Sequence, residues 1–173
     1  FVDYGGNGHH GTCTGDGCPG AGTQGQIGLS ASFDGQDDVI EVGHHTALNP
    51  GDEMTLALWV KLIDTDPDQK LVGKSTGDDG FVLGIKEGQL YPEVWDSSGS
   101  RSWAQWGEIN AGYWTHLAVT WETGGDMVGY VNGNEVGRTE ASASAAIGAN
   151  SHPLRVGAAP WDGTCNPANG RID

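Results

Sequence analysis

Glu53-Met54-Thr55-Leu56-Ala57-Leu58-Trp59-Val60-Lys61-Leu62 is the stretch that decides the fold. Met54, Leu56, Leu58 and Val60 recur at every second position, so an extended chain turns them all to one side and turns Thr55, Ala57, Trp59 and Lys61 to the other. Ala57 and Trp59 make the second side partly apolar, which predicts a central strand sandwiched between two layers. Working outward, further period-two runs bounded by Gly, Asp and Asn predict strands over Asp38–Val42, Gln69–Lys74, Phe81–Lys86, Gln89–Asp96, Arg101–Trp106, Trp114–Glu122, Met127–Val131, Glu135–Thr139 and Pro153–Gly157. Asn132-Gly133 between two of these is a hairpin signal, because both residues tolerate positive φ. Thirty Gly and seven Pro disfavour long helices. The expected fold is all-β, a two-sheet antiparallel sandwich of jelly-roll type. Ala141–Ala149, rich in Ala and Ser, reads as a crossover loop.

With 173 residues, the chain is read as one domain spanning 1–173. Eight Lys plus Arg against 23 Asp plus Glu give a formal charge of −15, which repels phosphate backbones and anionic lipid. No nucleic acid partner is therefore expected. Membrane insertion is not expected either, since the longest strongly apolar stretch, Met54–Val60, is far short of the ~20 residues a spanning helix needs. The chain opens on Phe1, and reads as a mature or excised piece of a longer protein. Cys13 and Cys18 fit neither a Cys-x-x-Cys redox spacing nor a zinc pattern, and the turn residues between them let the sulfurs meet. A disulfide between them is the expectation, three reduced thiols the alternative. Closing so short a loop contributes less than the ~3 kcal/mol of a fifteen-residue loop. Cys165 is left over or competes for one of the pair.

In order along the chain stand Asp3-Tyr4-Gly5-Gly6-Asn7-Gly8-His9-His10-Gly11-Thr12, Ser32-Phe33-Asp34-Gly35-Gln36-Asp37-Asp38-Val39-Ile40-Glu41-Val42 and Thr55-Leu56-Ala57-Leu58-Trp59-Val60-Lys61. Then come Leu71-Val72-Gly73-Lys74, Trp114-Thr115-His116-Leu117-Ala118-Val119-Thr120-Trp121, Tyr130-Val131-Asn132-Gly133, Pro153-Leu154-Arg155-Val156-Gly157 and Gly170-Arg171-Ile172-Asp173. This ordered set resembles the laminin G-like domains of the concanavalin A-like superfamily, in the version common in bacterial secreted multidomain proteins. The resemblance implies a closing strand beyond the Gly-x-Ile-Asp segment, so the domain reads as truncated there, or as completed by a strand from elsewhere.

Asp34, Asp37, Asp38 and Glu41 pack four carboxylates into eight residues. Like-charge repulsion penalises this unless solvent or a hard cation screens it. Calcium accepts carboxylates and backbone carbonyls alike, which suits a Gly-rich loop such as Gly5–Gly8 beside Asp34. Similar domains often hold calcium where the first and last strands meet, and the resemblance carries that role to Asp3, Asn7, Asp34 and Asp173. The competing reading is that these are solvated turn residues making local hydrogen bonds. Asp64-Thr65-Asp66-Pro67-Asp68 imitates an EF-hand opening, but Gln69 stands where Gly is needed and Ser75 where a bidentate Glu belongs.

No catalytic pattern survives inspection. Gly73-Lys74-Ser75-Thr76-Gly77 spells Gly-x-Ser-x-Gly without the strand-to-helix turn of a nucleophile elbow. It is no phosphate loop either, since Asp68 occupies the leading Gly position. Glycosidases of this superfamily pair carboxylates on one strand face, whereas Glu93 and Asp96, three apart, face opposite sides. His9-His10 and His44-His45 diverge as strand neighbours and read as surface residues, and His116 as a packed sheet residue. Tyr91, Trp95, Trp103 and Trp106, interleaved with Glu93, Asp96, Arg101 and Gln105, form the candidate ligand band: indoles offer stacking faces for sugar rings, and Tyr91, Glu93 and Trp95 share one strand face. Trp59, Trp114 and Trp121 are assigned to the core or its margin. The expected function is a non-catalytic, calcium-stabilised binding or adhesion module for carbohydrate or another cell-surface ligand. It would serve beside other domains of a secreted or cell-surface parent. The alternative is a structural spacer or filament subunit completed by a neighbour's strand.

Overall fold

Short alternating runs separated by Gly-rich turns become, among the described residues, fifteen strands and two single-turn 3-10 segments, with no α-helix. The computed structural model describes residues 1–140, 145–158 and 166–173. The strands are β1 (Gly11–Thr12), β2 (Gly20–Gln24), β3 (Leu29–Asp34), β4 (Ile40–Val42), β5 (Glu53–Leu62), β6 (Gln69–Lys74), β7 (Gly80–Lys86) and β8 (Gln89–Trp95). They continue as β9 (Arg101–Trp103), β10 (Trp106–Glu108), β11 (Thr115–Glu122), β12 (Asp126–Val131), β13 (Asn134–Glu140), β14 (Leu154–Val156) and β15 (Asn169–Ile172). They form two sheets, every pairing antiparallel. One runs β1-β4-β14-β6-β7-β8-β10 with β9 also paired to β8; the other runs β13-β12-β11-β5-β15-β3-β2. This is the expected two-sheet jelly-roll sandwich.

Between the sheets lie Phe33, Val60 and Leu62 from one layer's centre, Leu117, Val119, Trp121 and Met127 beside them, and Leu71, Leu83, Ile85, Leu90 and Val94 from the facing layer. At about 25 cal/mol per Å² of apolar surface removed from water, these interdigitated side chains are the main stabilising term. The hairpin at Asn132-Gly133 forms as predicted: Val131 pairs with Asn134, and the two turn residues take φ of 52° and 78°.

Two expectations are corrected by the layering. β5 is central within its sheet, between β11 and β15, but its second side faces solvent: Glu53, Thr55 and Ala57 are exposed and Trp59 is half-buried. The strands covered on both sides are β6, β7 and β8, where nearly every residue is buried. Trp59 is thus an outward residue, set edge-on to its cross-strand partner His116 at 5.2 Å, whereas Trp121 is core as assigned. Cys13 and Cys18 form the expected disulfide; Cys165 and the first part of the Ala141–Ala149 stretch lie outside the described residues. β15 is paired on both sides, to β5 and to β3.

Candidate functional site

On β8 the core takes Leu90 and Val94, so alternation sends Tyr91, Glu93 and Trp95 to the outer side of the eight-stranded sheet. β9 pairs antiparallel there, setting Trp103 opposite Glu93 and Arg101 opposite Trp95. Tyr91, Glu93, Trp95 and Trp103 are therefore brought to one face. Trp106 is not: it pairs with Leu90 and turns inward, filling a slot over the facing glycines Gly129 and Gly137. A Cβ on Gly137 would stand 2.2 Å from Trp106 Cδ1, so the slot exists only because both positions lack side chains.

The outer face is a charged network. Glu93, 4% exposed, accepts from Lys70 Nζ at 3.0 Å through Oε2, and from Arg101 and the Tyr91 hydroxyl (3.1 Å) through Oε1. Arg101 also donates to the Tyr91 oxygen at 2.6 Å. Lys70 Nζ and Lys86 Nζ lie 4.6 and 5.2 Å from the centre of the Tyr91 ring, and the Arg101 guanidinium lies 5.6 and 5.5 Å from the Trp95 and Trp103 rings. Burial first, and the Glu93 charge second, push the Tyr91 hydroxyl up to about 12, so it stays protonated and donates. One buried carboxylate balances two cations, and Lys86 adds positive charge to a chain that is −15 overall. Trp103, 49% exposed and 6.0 Å from Tyr91, is the ring this network presents to solvent. Lys70 and Lys86 went unnoticed in the sequence; a lysine inside an otherwise buried strand, as in Gln69–Lys74, was the available signal of a buried partner.

The residues carried over for calcium do not form one site. Asp34 pairs with Asn169 at one end of β15 and Asp173 follows Ile172 at the other, ~13 Å along the strands. Asp173 Oδ2 instead accepts from Ile27 N at 2.6 Å. Asp3 stands beside Asn7 in the opening loop and accepts from Gly5 N and His9 N; these backbone donors, His9 first, hold its carboxyl below the usual range. The chain ends do meet, since Phe1, Val2 and Tyr4 line one hollow with Ile172 and Asp173. What the structure assembles is the other part of the acidic cluster. Carboxylate oxygens of Asp34, Asp37 and Asp38 lie within 4.8 Å of one another and could hold a metal ion. Asp38 is 5% exposed; burial, then the neighbouring Asp34 and Asp37 charges, raise its pKa, although Asp34 N donates to it at 2.9 Å. Three hard oxygens are a partial set for calcium, which takes six to eight with carbonyls and water completing the shell.

The remaining candidates are occupied structurally. Ser75 of the Gly-x-Ser-x-Gly string is fully buried and accepts from Gly77 N, and Asp96 Oδ1 accepts from Ser98 N and Ser100 N in the turn after β8. His9 and His45, one from each histidine pair, have rings 4.6 Å apart, because β1 pairs with β4 and brings the two loops together.

Two antiparallel sheets of this order, with an aromatic and charged outer face, define a lectin-type β-sandwich fold. The chain belongs to the concanavalin A-like lectin/glucanases superfamily, whose Laminin_G_3 model matches residues 34–173. No curated protein matches significantly. Among solved structures, the binding domain of Paraclostridial Mosquitocidal Protein 1 superposes with a TM-score of 0.76 at 19% identity, over 98% of this chain and 43% of that one. Domains LG4-5 of the mouse laminin α1 chain give 0.62 at 21%, over 83% and 39%. The Ruminococcus gnavus IT-sialidase CBM40 bound to α2,3-sialyllactose gives 0.63 at 14%, over 83% and 88%. The chain spans less than half the length of the toxin binding domain and of the laminin pair.

Proposed function

We propose that this chain is a non-catalytic carbohydrate-binding module of a secreted or cell-surface protein. The ligand would stack on Trp103 and hydrogen-bond to the Arg101, Tyr91 and Glu93 network beneath it, with Lys86 at the margin. The observation that carries this reading is the half-exposed indole of Trp103 set on a paired polar cluster in which Glu93, Tyr91 and Lys70 are buried and Arg101 is exposed. Stacking rings beside fixed polar groups are what sugar recognition needs. The solved relatives include a carbohydrate-binding module and toxin binding domains, which favours a binding role. Calcium at Asp34, Asp37 and Asp38 would relieve the repulsion among three carboxylates and tie the end of β3 to the loop before β4. Adhesion would follow from presenting such a module beside other domains. The spacer reading draws only on the end strands of the two sheets, β1 and β10 in one and β2 and β13 in the other, which a sandwich of this kind has in any case.

A glycan array run on the intact chain with and without calcium tests the proposal. Bound uncharged saccharides should disappear with Trp103→Ala while the melting temperature is kept. Retention of every bound glycan by Trp103→Ala would remove this face from consideration.

A further inference from the structure

The outer side of the seven-stranded sheet carries an arrangement the preceding reading does not use. Lys61 on β5 and Arg171 on β15 are register partners, directly opposite on the same face. Both are half-buried, and among the described residues neither has an ion-pair partner. Like charges placed directly across a strand pair destabilise it. The chain holds 23 acidic residues against eight basic ones, so two cations left facing each other are conspicuous. Of the other six cations five are matched, Lys70 and Arg101 to Glu93, Arg138 to Asp126 and Glu135, Arg155 to Glu41, and Lys74 to the two oxygens of Asn150, while Lys86 lies over the Tyr91 ring. Two carboxylates near the pair share this face and each accepts from a backbone N–H: Asp173, two positions after Arg171, from Ile27 N, and Asp34, two positions after the Ser32 that pairs with Arg171, from Gln36 N.

What surrounds the pair is suited to a sugar. Two positions before Lys61, on the same face, stands the half-buried Trp59 with His116 edge-on to it, and these two with Asn132 and Gly133 line a shallow hollow. On the other side, a second hollow runs between Lys61 and Arg171 over Ser32, Gly112 and the 72%-exposed Ile63. A guanidinium takes a carboxylate through two parallel N–H donors, the ammonium adds a point charge, and an indole ~7 Å along the strand supplies a stacking face. The overall charge of −15 repels dense polyanions at longer range, which leaves ligands carrying one charge.

We infer that Lys61 and Arg171, with Trp59, form a second binding site on the opposite face of the sandwich, selective for a saccharide bearing a single carboxylate. The site is independent of the Trp103 face. Its ligand supplies the anion that the fold withholds from the two cations.

The test is calorimetric titration of the intact chain with 3′-sialyllactose, its carboxamide, which removes only the charge, and lactose. The acid should bind at least about tenfold more tightly than the other two, and its affinity should fall with added salt, as expected for a charge-assisted contact. Lys61→Gln and Arg171→Gln should each lose that preference while the melting temperature holds or rises, because each removes a repulsion; a residue with a purely structural role would lower it. Equal binding of acid and carboxamide, no binding, or a preference surviving in both variants would overturn the inference. Loss of acid binding in Trp103→Ala would also overturn it, by assigning the saccharide to the other face.

Discussion

The two outer faces of the sandwich treat charge in opposite ways. Beneath Trp103, Lys70 and Arg101 converge on one buried carboxylate and a tyrosine hydroxyl, and their positive charge is largely absorbed by the protein itself. On the far sheet, Lys61 and Arg171 face each other with no carboxylate between them. The first arrangement holds a platform rigid; the second leaves a charge for something else to neutralise. Removing a residue from the first should therefore weaken the fold, and removing one from the second should strengthen it.

The largest effect is expected at Glu93. Glu93→Ala leaves the buried Lys70 and the exposed Arg101 without their counterion, and breaking a buried pair such as Lys70–Glu93 costs about 3–5 kcal/mol. Chemical denaturation should show the midpoint collapse; a loss under ~1 kcal/mol would mean the network is solvated and the contrast between the faces is false. Next is Gly137→Ala, which drives a methyl into the Trp106 ring and should destabilise by about 1–3 kcal/mol by overpacking. Trp103→Ala should leave the midpoint within ~0.5 kcal/mol, as for exposed positions away from special features, and still abolish binding of uncharged saccharides.

Smaller effects concern the acidic triad. The folded pKa of Asp38 is raised, so the folded state binds the extra proton between the unfolded and folded values, and stability falls as pH rises through the raised value. Without metal, Asp38→Asn should therefore raise the neutral-pH melting temperature, by no more than about 3 °C, the shift that ~1 kcal/mol gives in a domain of this size. If calcium binds there, adding it should stabilise the parent chain and not the variant, since a ligand of the folded state acts by mass action. Smallest is the relief at Lys61→Gln or Arg171→Gln, about 0.2–1 kcal/mol of gained stability. A loss of that size instead would show that the opposed pair is compensated.

Much of this molecule was legible in the chain. Period two over Glu53–Leu62, the Asn132-Gly133 turn, the Cys13–Cys18 spacing and the joint placement of Tyr91, Glu93 and Trp95 follow from alternation and turn chemistry, which act over a few residues and can be read in order. Which side of a strand meets the other layer cannot be read that way. Trp59 and Trp106 carry the same side chain in similar runs, and their fates exchanged: Trp59 went outward and Trp106 was drawn inward because Gly129 and Gly137, more than twenty residues on, leave it room. The carboxylates divide likewise. Asp34, Asp37 and Asp38 are joined by a local turn, whereas the pairing of β3 with β15 fixes a register that holds Asp34 and Asp173 apart. The sequence by itself determined most of the strands, the Asn132-Gly133 turn and the family, but not β1, β2, β3 and β15, nor the break of Arg101–Trp106 into β9 and β10. Tertiary structure alone decided which faces are dry and which charges meet, because those depend on contacts between segments whose register only the assembled sheets set.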